Sequence, residues 1–143
     1  MSTRREVLFW VICFIFLLWD LLASFKIISV EWVLVIILNQ FLSGILPTIF
    51  VIGFGFKFIR LRKKGEQIDI VTLLFPWVYL MWYFIPIIMS YVLFVKNASQ
   101  GLGLPSPASF SSNPFIIPFH NYGVIILFLV AVIALFRHLL AQR

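Results

Sequence analysis

The chain has 143 residues, of which 63% are hydrophobic, 18% aromatic and only 11% charged. Soluble domains run near 45–50% apolar and about 25% charged, so this composition excludes a fold that lives in water and calls for a lipid solvent. The formal net charge is +6, but the basic residues gather at the ends of apolar runs, as membrane-flanking loops do, so no nucleic-acid partner is expected.

The first apolar run, Val7–Ile28, is about 33 Å long as a helix and sufficient to cross the hydrocarbon. Arg4-Arg5 ahead of Val7–Leu18 has the flavour of an export signal. Trp19-Asp20, however, stands where a cleavage region would need small neutral residues. Asp20 shares a helix face with Cys13, Phe16 and Ser24. Cys13 is the single cysteine, which excludes an intrachain disulfide and a thiolate metal cluster.

The linker Ser29-Val30-Glu31 leads into a second helix, Trp32–Phe56. Asp20 lies ten residues before Val30 and Gln40 ten after it, so an antiparallel hairpin brings Asp20 to the level of Asn39 and Gln40, deep in the membrane. Pro47 removes a backbone donor in mid-helix and predicts a kink, with Ser43, Gly44 and Thr48 around it. Gly44 and Thr48 also form a small-residue face suited to close helix contact.

Lys57–Asp69 is a polar loop with five Lys/Arg. Arg60, Arg62, Lys63 and Lys64 are candidates for acidic lipid headgroups, worth about 1 kcal/mol each near the surface, and also serve as topology determinants. Asp69 is placed to cap a third helix, Ile70–Val95. That helix carries Pro76, Pro86 and the aromatic block Trp77–Phe84. Tyr83 falls near mid-span, where its hydroxyl needs a partner, and belongs at the level of Asp20, Asn39 and Gln40.

Residues 96–121 form a long outer loop with four prolines, too many for a helix throughout. Its second half is apolar again, and Phe115, Ile116, Ile117 and Phe119 are expected on the interface or against another subunit. Asn97-Ala98-Ser99 is a formal glycosylation acceptor. The fourth helix, Tyr122–Leu140, has no polar group in its middle. Nine of eleven basic residues then fall on one side with both termini, which predicts termini in the cytoplasm. The expected fold class is an all-α integral membrane protein of four transmembrane helices, forming one transmembrane domain over residues 1–143. In a prokaryote its place is the cytoplasmic membrane.

Catalytic signatures are sparse. His120 and His138 lie 18 residues apart on the fourth run, roughly 27 Å, and cannot share a haem or metal. No cofactor is expected in this chain. No Ser/His/Asp set is expected at one depth and no paired carboxylates, and Gly53-Phe54-Gly55 lacks the third glycine and the strand of a nucleotide loop. The chain is therefore not expected to be an enzyme through its own residues. Asp20 stands out: a carboxyl within the membrane must face inward, find a partner or be held neutral. It reads either as a proton- or cation-binding group with Asn39, Gln40 and Tyr83 beside it, or as a structural acid hydrogen-bonded to Asn39 or Gln40.

Asp20 in the first helix with Tyr79, Trp82 and Tyr83 in the third is similar in part to the small multidrug-resistance transporters. Those are four-helix chains of comparable size, with a membrane carboxyl in the first helix and Trp/Tyr in the third. The family uses Glu, has short loops and, in its dual-topology members, little charge bias, whereas this chain has Asp, a long outer loop and a strong bias. The resemblance implies a carboxyl-driven transport mechanism. Two functional expectations follow. The first is a non-catalytic accessory subunit of a larger membrane complex, such as a respiratory or other electron-transfer assembly, with other membrane subunits and the lipid bilayer as partners. The alternative is a small proton-coupled transporter or channel acting as a homo-oligomer through Asp20.

Overall fold

A computed structural model describes residues 4–28, 33–101 and 115–142. It contains four helices long and apolar enough to cross a membrane: α1 (Arg4–Ser24), α2 (Val33–Lys63), α3 (Ile70–Ser99) and α4 (Ile116–Leu140). The linker Ser29-Val30-Glu31, Trp32 and the Gly/Pro-rich residues 102–114 lie outside the described residues.

Each helix boundary departs from its apolar run for a local reason. α1 starts at Arg4 and stops at Ser24, and Lys26 takes a positive φ of 55° that turns the chain out of the helix. Asp20 therefore sits four residues from the end of α1, about 6 Å along the axis, nearer that end than the longer run implied. α2 continues past Phe56 to Lys63, so Arg60, Arg62 and Lys63 are helical and not part of a loop. Their charges sit in the last turn, where the helix dipole favours cations. Asp69 caps α3 as expected, its carboxylate accepting the Thr72 N–H at 3.3 Å.

α3 carries Pro76 and Pro86 inside it and runs on to Ser99, so the Asn97–Ser99 triplet is the closing turn of a helix. α4 begins at Ile116, six residues earlier than Tyr122. Pro118 is the third residue of that helix, and the first four N–H groups of any helix lack an intrahelical acceptor, so its missing donor costs nothing there. The loop bound at residue 121 fails for this reason, while Pro105, Pro107 and Pro114 lie outside the described residues.

Pro47 has its effect one turn upstream. Phe41–Ile45 forms a π-turn, and the Leu46 N–H reaches back five residues to the Phe41 carbonyl. The wider turn absorbs the donor that Pro47 cannot supply.

α1 packs chiefly against α4, α3 against both α2 and α4, and α1 against α2 at the π-turn. α1 and α4 are antiparallel: Trp10 stacks on His138 at one end and Ser24 meets His120 at the other. The two ends of the described chain thus share the end of the bundle that carries Arg60, Arg62, Lys63 and Arg137, here called the basic end. The core is aromatic on that side, with Phe9 among Trp10, Phe50, Phe54, Phe58 and Phe75 at centroid distances of 5.1–6.2 Å. Toward α4 it becomes small: Ala131 and Ala134 are buried and let α4 approach closely. The half of α2 away from the basic end differs from everything else. Val33–Gln40 contributes no buried residue, and Val33 and Leu34 are 72% and 77% exposed.

Candidate functional site: two polar cavities in an apolar bundle

Because α2 stands away from the bundle above its π-turn, a partly open cavity of about 440 Å³ remains at the end opposite the basic one. α1 contributes Asp20, Ala23 and Ser24 to its wall; α2 contributes Asn39, Gln40, Ser43 and Gly44; Tyr83 comes from α3; and Ile116, Ile117, His120 and Asn121 come from α4. The four residues singled out in the sequence, Asp20, Asn39, Gln40 and Tyr83, all line it. At ~30 Å³ per water the space holds roughly fifteen waters, and it falls in the size range of small-molecule sites.

Asp20 is 3% exposed, and its Oδ2 has no hydrogen-bond partner among the described residues. The Ser43 hydroxyl lies beside the carboxyl. The amides do not hold it in the way the structural expectation required: Asn39 Oδ1 is taken by the Trp19 indole N–H at 2.9 Å and by the Ser43 hydroxyl at 3.0 Å. Asn39 thus ties α1 to α2 through the residue next to Asp20. Gln40 is exposed at the cavity edge. Tyr83 leans over Gly44, where a Cβ would stand 2.8 Å from its hydroxyl oxygen. Gly44 therefore gives the hydroxyl room in the π-turn, beyond serving as a helix-contact residue.

His120 was missed as a site residue. Its Nε2 lies 3.2 Å from Ser24 Oγ, and its ring stacks on Trp82 at 4.9 Å. The Trp82 indole N–H donates to the His120 carbonyl at 3.2 Å. Gly123, one turn on, makes room for that indole: a Cβ there would collide with Trp82 Cδ1 and Nε1. Ser24, His120 and Asp20 thus line one cavity, with Asp20 one turn deeper than Ser24 on α1. The usable signal was positional: Ser24 ends the first helix and His120 opens the fourth, so both had to lie at the same end.

A second cavity, of about 370 Å³, sits at the basic end among Glu6, Gln67, Ile68, Asp69, Arg137, His138 and Ala141. Two acidic residues line it: Glu6 is 2% exposed, and its Oε1 accepts the backbone N–H of Asp69 at 3.2 Å. Thr72, fully buried, is the hub. It accepts from the Trp10 indole at 3.0 Å, lies 3.3 Å from His138 Nε2, and has Asp69 Oδ2 at 3.4 Å. Arg137 pairs with Asp69, and Arg5 with Glu66 at 3.9 Å. Burial pushes the Asp69 carboxyl up. The Thr72 amide, the Arg137 guanidinium and the field of His138 outweigh it and hold the group below the usual carboxylate range.

Between the cavities lies an apolar layer that includes Cys13, Leu17, Val51, Phe75, Val124 and Leu127. Among the described residues no group of three or more His, Cys, Asp and Glu is placed to hold a metal. Of the other candidates, Arg60, Arg62, Lys63 and Lys64 are exposed at the basic end. Phe115, Ile117 and Phe119 are 73%, 43% and 39% exposed around the start of α4, while Ile116 and Ile117 form the apolar wall of the first cavity. Comparison with known proteins found no family model, no curated protein and no solved structure that matches this chain.

Proposed function

We propose that the chain is a small proton-coupled membrane transporter or channel in which Asp20 is the loading group. The observation that carries this reading is a buried carboxyl, with one oxygen left without a partner, facing a polar cavity inside an otherwise apolar bundle. A carboxylate in low dielectric must exchange a proton or attract a cation to be tolerated, and Ser43, Tyr83, Ser24 and His120 add hydrogen-bonding groups to the same cavity. In this reading both termini and the basic end face the cytoplasm, and Arg60, Arg62, Lys63 and Lys64 meet acidic headgroups there. The residues of this chain that act are side chains, with no cofactor invoked.

The test is Asp20→Asn in the full chain reconstituted in liposomes with a trapped pH indicator. Proton flux present in the wild type and lost in the variant, with insertion unchanged, supports the proposal; equal flux in both refutes it.

One observation favours the other reading, an accessory subunit of a larger membrane complex. The outer half of α2 has no buried residue and offers a full apolar face to a neighbour. Mass determination after gentle detergent extraction separates the two: unrelated chains co-purify with a subunit, whereas the transporter emerges alone or as a homo-oligomer. For a subunit, deleting Phe115–Phe119 detaches the chain and Asp20→Asn leaves the assembly working.

A further inference from the structure

We propose that the cavity at the basic end is a second proton-binding station, in which His138, Thr72 and Asp69 form a relay beside Glu6, and that the Tyr79 hydroxyl links it to the Asp20 cavity. The link to Asp20 rests on the function proposed above; the station itself rests on its own geometry.

The Thr72 hydroxyl has one hydrogen and two lone pairs, and three partners within reach on three different segments. The Trp10 indole can only donate, so one lone pair is committed. The remaining lone pair and the single hydrogen are divided between His138 Nε2 and Asp69 Oδ2. With a proton on Nε2, His138 donates to Thr72 and Thr72 donates to the Asp69 carboxylate. With Nε2 bare, the Thr72 hydroxyl turns to His138, while Asp69 keeps the Thr72 amide and Arg137. The same atoms therefore hold two complementary arrangements.

A proton crosses by breaking the Nε2–H bond of the imidazolium as an O–H bond forms at Thr72, whose own hydrogen passes to Asp69 Oδ2. Imidazolium and carboxylate become imidazole and a short-lived carboxylic acid, with no atom or electron pair left over. The Arg137 pair drives that acid back to carboxylate by release of the proton at the basic end. The charged groups facing this relay are Glu6 from α1 and Arg137 from α4.

The link upward is Tyr79. Its hydroxyl is buried without a hydrogen-bond partner among the described residues, and it lies close enough to Asp20 and Cys13 to feel both electrostatically. It stands two turns above Thr72 on the same face of α3, about 10 Å along the axis. Side chains on a helix lean toward its N-terminus, so Tyr79 reaches from the level of Asp20 toward Thr72. Trp10 and Phe75 pack against each other at 4.6 Å between the two levels, so the link needs water admitted transiently past their rings.

The test uses the full chain in liposomes, with a trapped pH indicator and the membrane potential clamped by potassium and valinomycin. Thr72→Val, Asp69→Asn and Tyr79→Phe should each lower proton flux about tenfold or more, in line with the loss of a positioned proton-transfer group, while Thr72→Ser stays near wild type. Wild-type flux in Thr72→Val, Asp69→Asn and Tyr79→Phe overturns the relay and leaves the Asp20 reading intact, since Asp20→Asn decides that separately. Should the wild type carry no protons at all, the Asp20 reading and the link through Tyr79 fall together. The station is then judged by nitrogen-15 spectra of His138. A tautomer that changes with pH in the wild type and is fixed in Asp69→Asn supports it; spectra that titrate identically overturn it.

Discussion

Replacing Gly123 by alanine tests whether α4 is held where the site needs it. The added methyl would occupy the space of the Trp82 indole, meeting Cδ1 and Nε1. Trp82 cannot simply swing aside. It is 5% exposed, its N–H is bonded to the His120 carbonyl, and its ring is stacked on His120 and set edge-on to Tyr79 at 5.5 Å. Forcing a methyl into such packing costs about 1–3 kcal/mol, and losing the indole hydrogen bond about 1 more. The helix gains up to about 1 kcal/mol from Gly→Ala, so the net loss is about 2 kcal/mol. Reversible unfolding in mixed detergent micelles measures it. A double-mutant cycle assigns the cause: in a Trp82→Leu background the same Gly123→Ala change should cost less than about 0.5 kcal/mol. An equal cost in both backgrounds, or none in either, would refute the packing argument.

Gly44→Ala presses on the far end of the Tyr83 side chain, which can shift, so a stability loss of about 1 kcal/mol or less is expected, with Tyr83→Phe relieving it in the same unfolding assay. Asp69 is held below the ordinary aspartate range, so the stability it lends is complete above that range and fades as pH falls through its lowered value. An unfolding series against pH should show an acid limb that Asp69→Asn flattens, while Asp69→Ala loses about 1 kcal/mol at neutral pH with the cap. Cys13 is 1% exposed, so a maleimide should fail to label it in the folded protein and label it fully after unfolding in sodium dodecyl sulfate.

Four apolar runs and their spacing were enough to locate Asp20 beside α2, because a hairpin pairs residues equidistant from its turn. The partners of Asp20 were not legible. Which amide reaches a carboxyl depends on helix rotation, and here Trp19 and Ser43 take the Asn39 oxygen first. The basic-end cluster was hidden for a different reason. Glu6, Thr72 and His138 come from three helices, 66 residues separating Thr72 from His138, and each looked unremarkable in its own run. Helix ends were misjudged where a rule for helix interiors was applied at a terminus. Pro118 is harmless in a first turn, and the basic residues after Phe56 stay helical because charge does not stop a helix.

The π-turn in α2 acts as a register device. Each residue of a helix turns the chain by about 100°, so one extra residue within Phe41–Ile45 resets the compass bearing of everything above it. Asn39 and Gln40 line the cavity that holds the α1 carboxyl because of that single added step. Shortening the turn by deleting Leu42 would restore an ordinary spiral below them and rotate both amides toward the lipid, emptying one wall of the cavity without changing any residue that lines it.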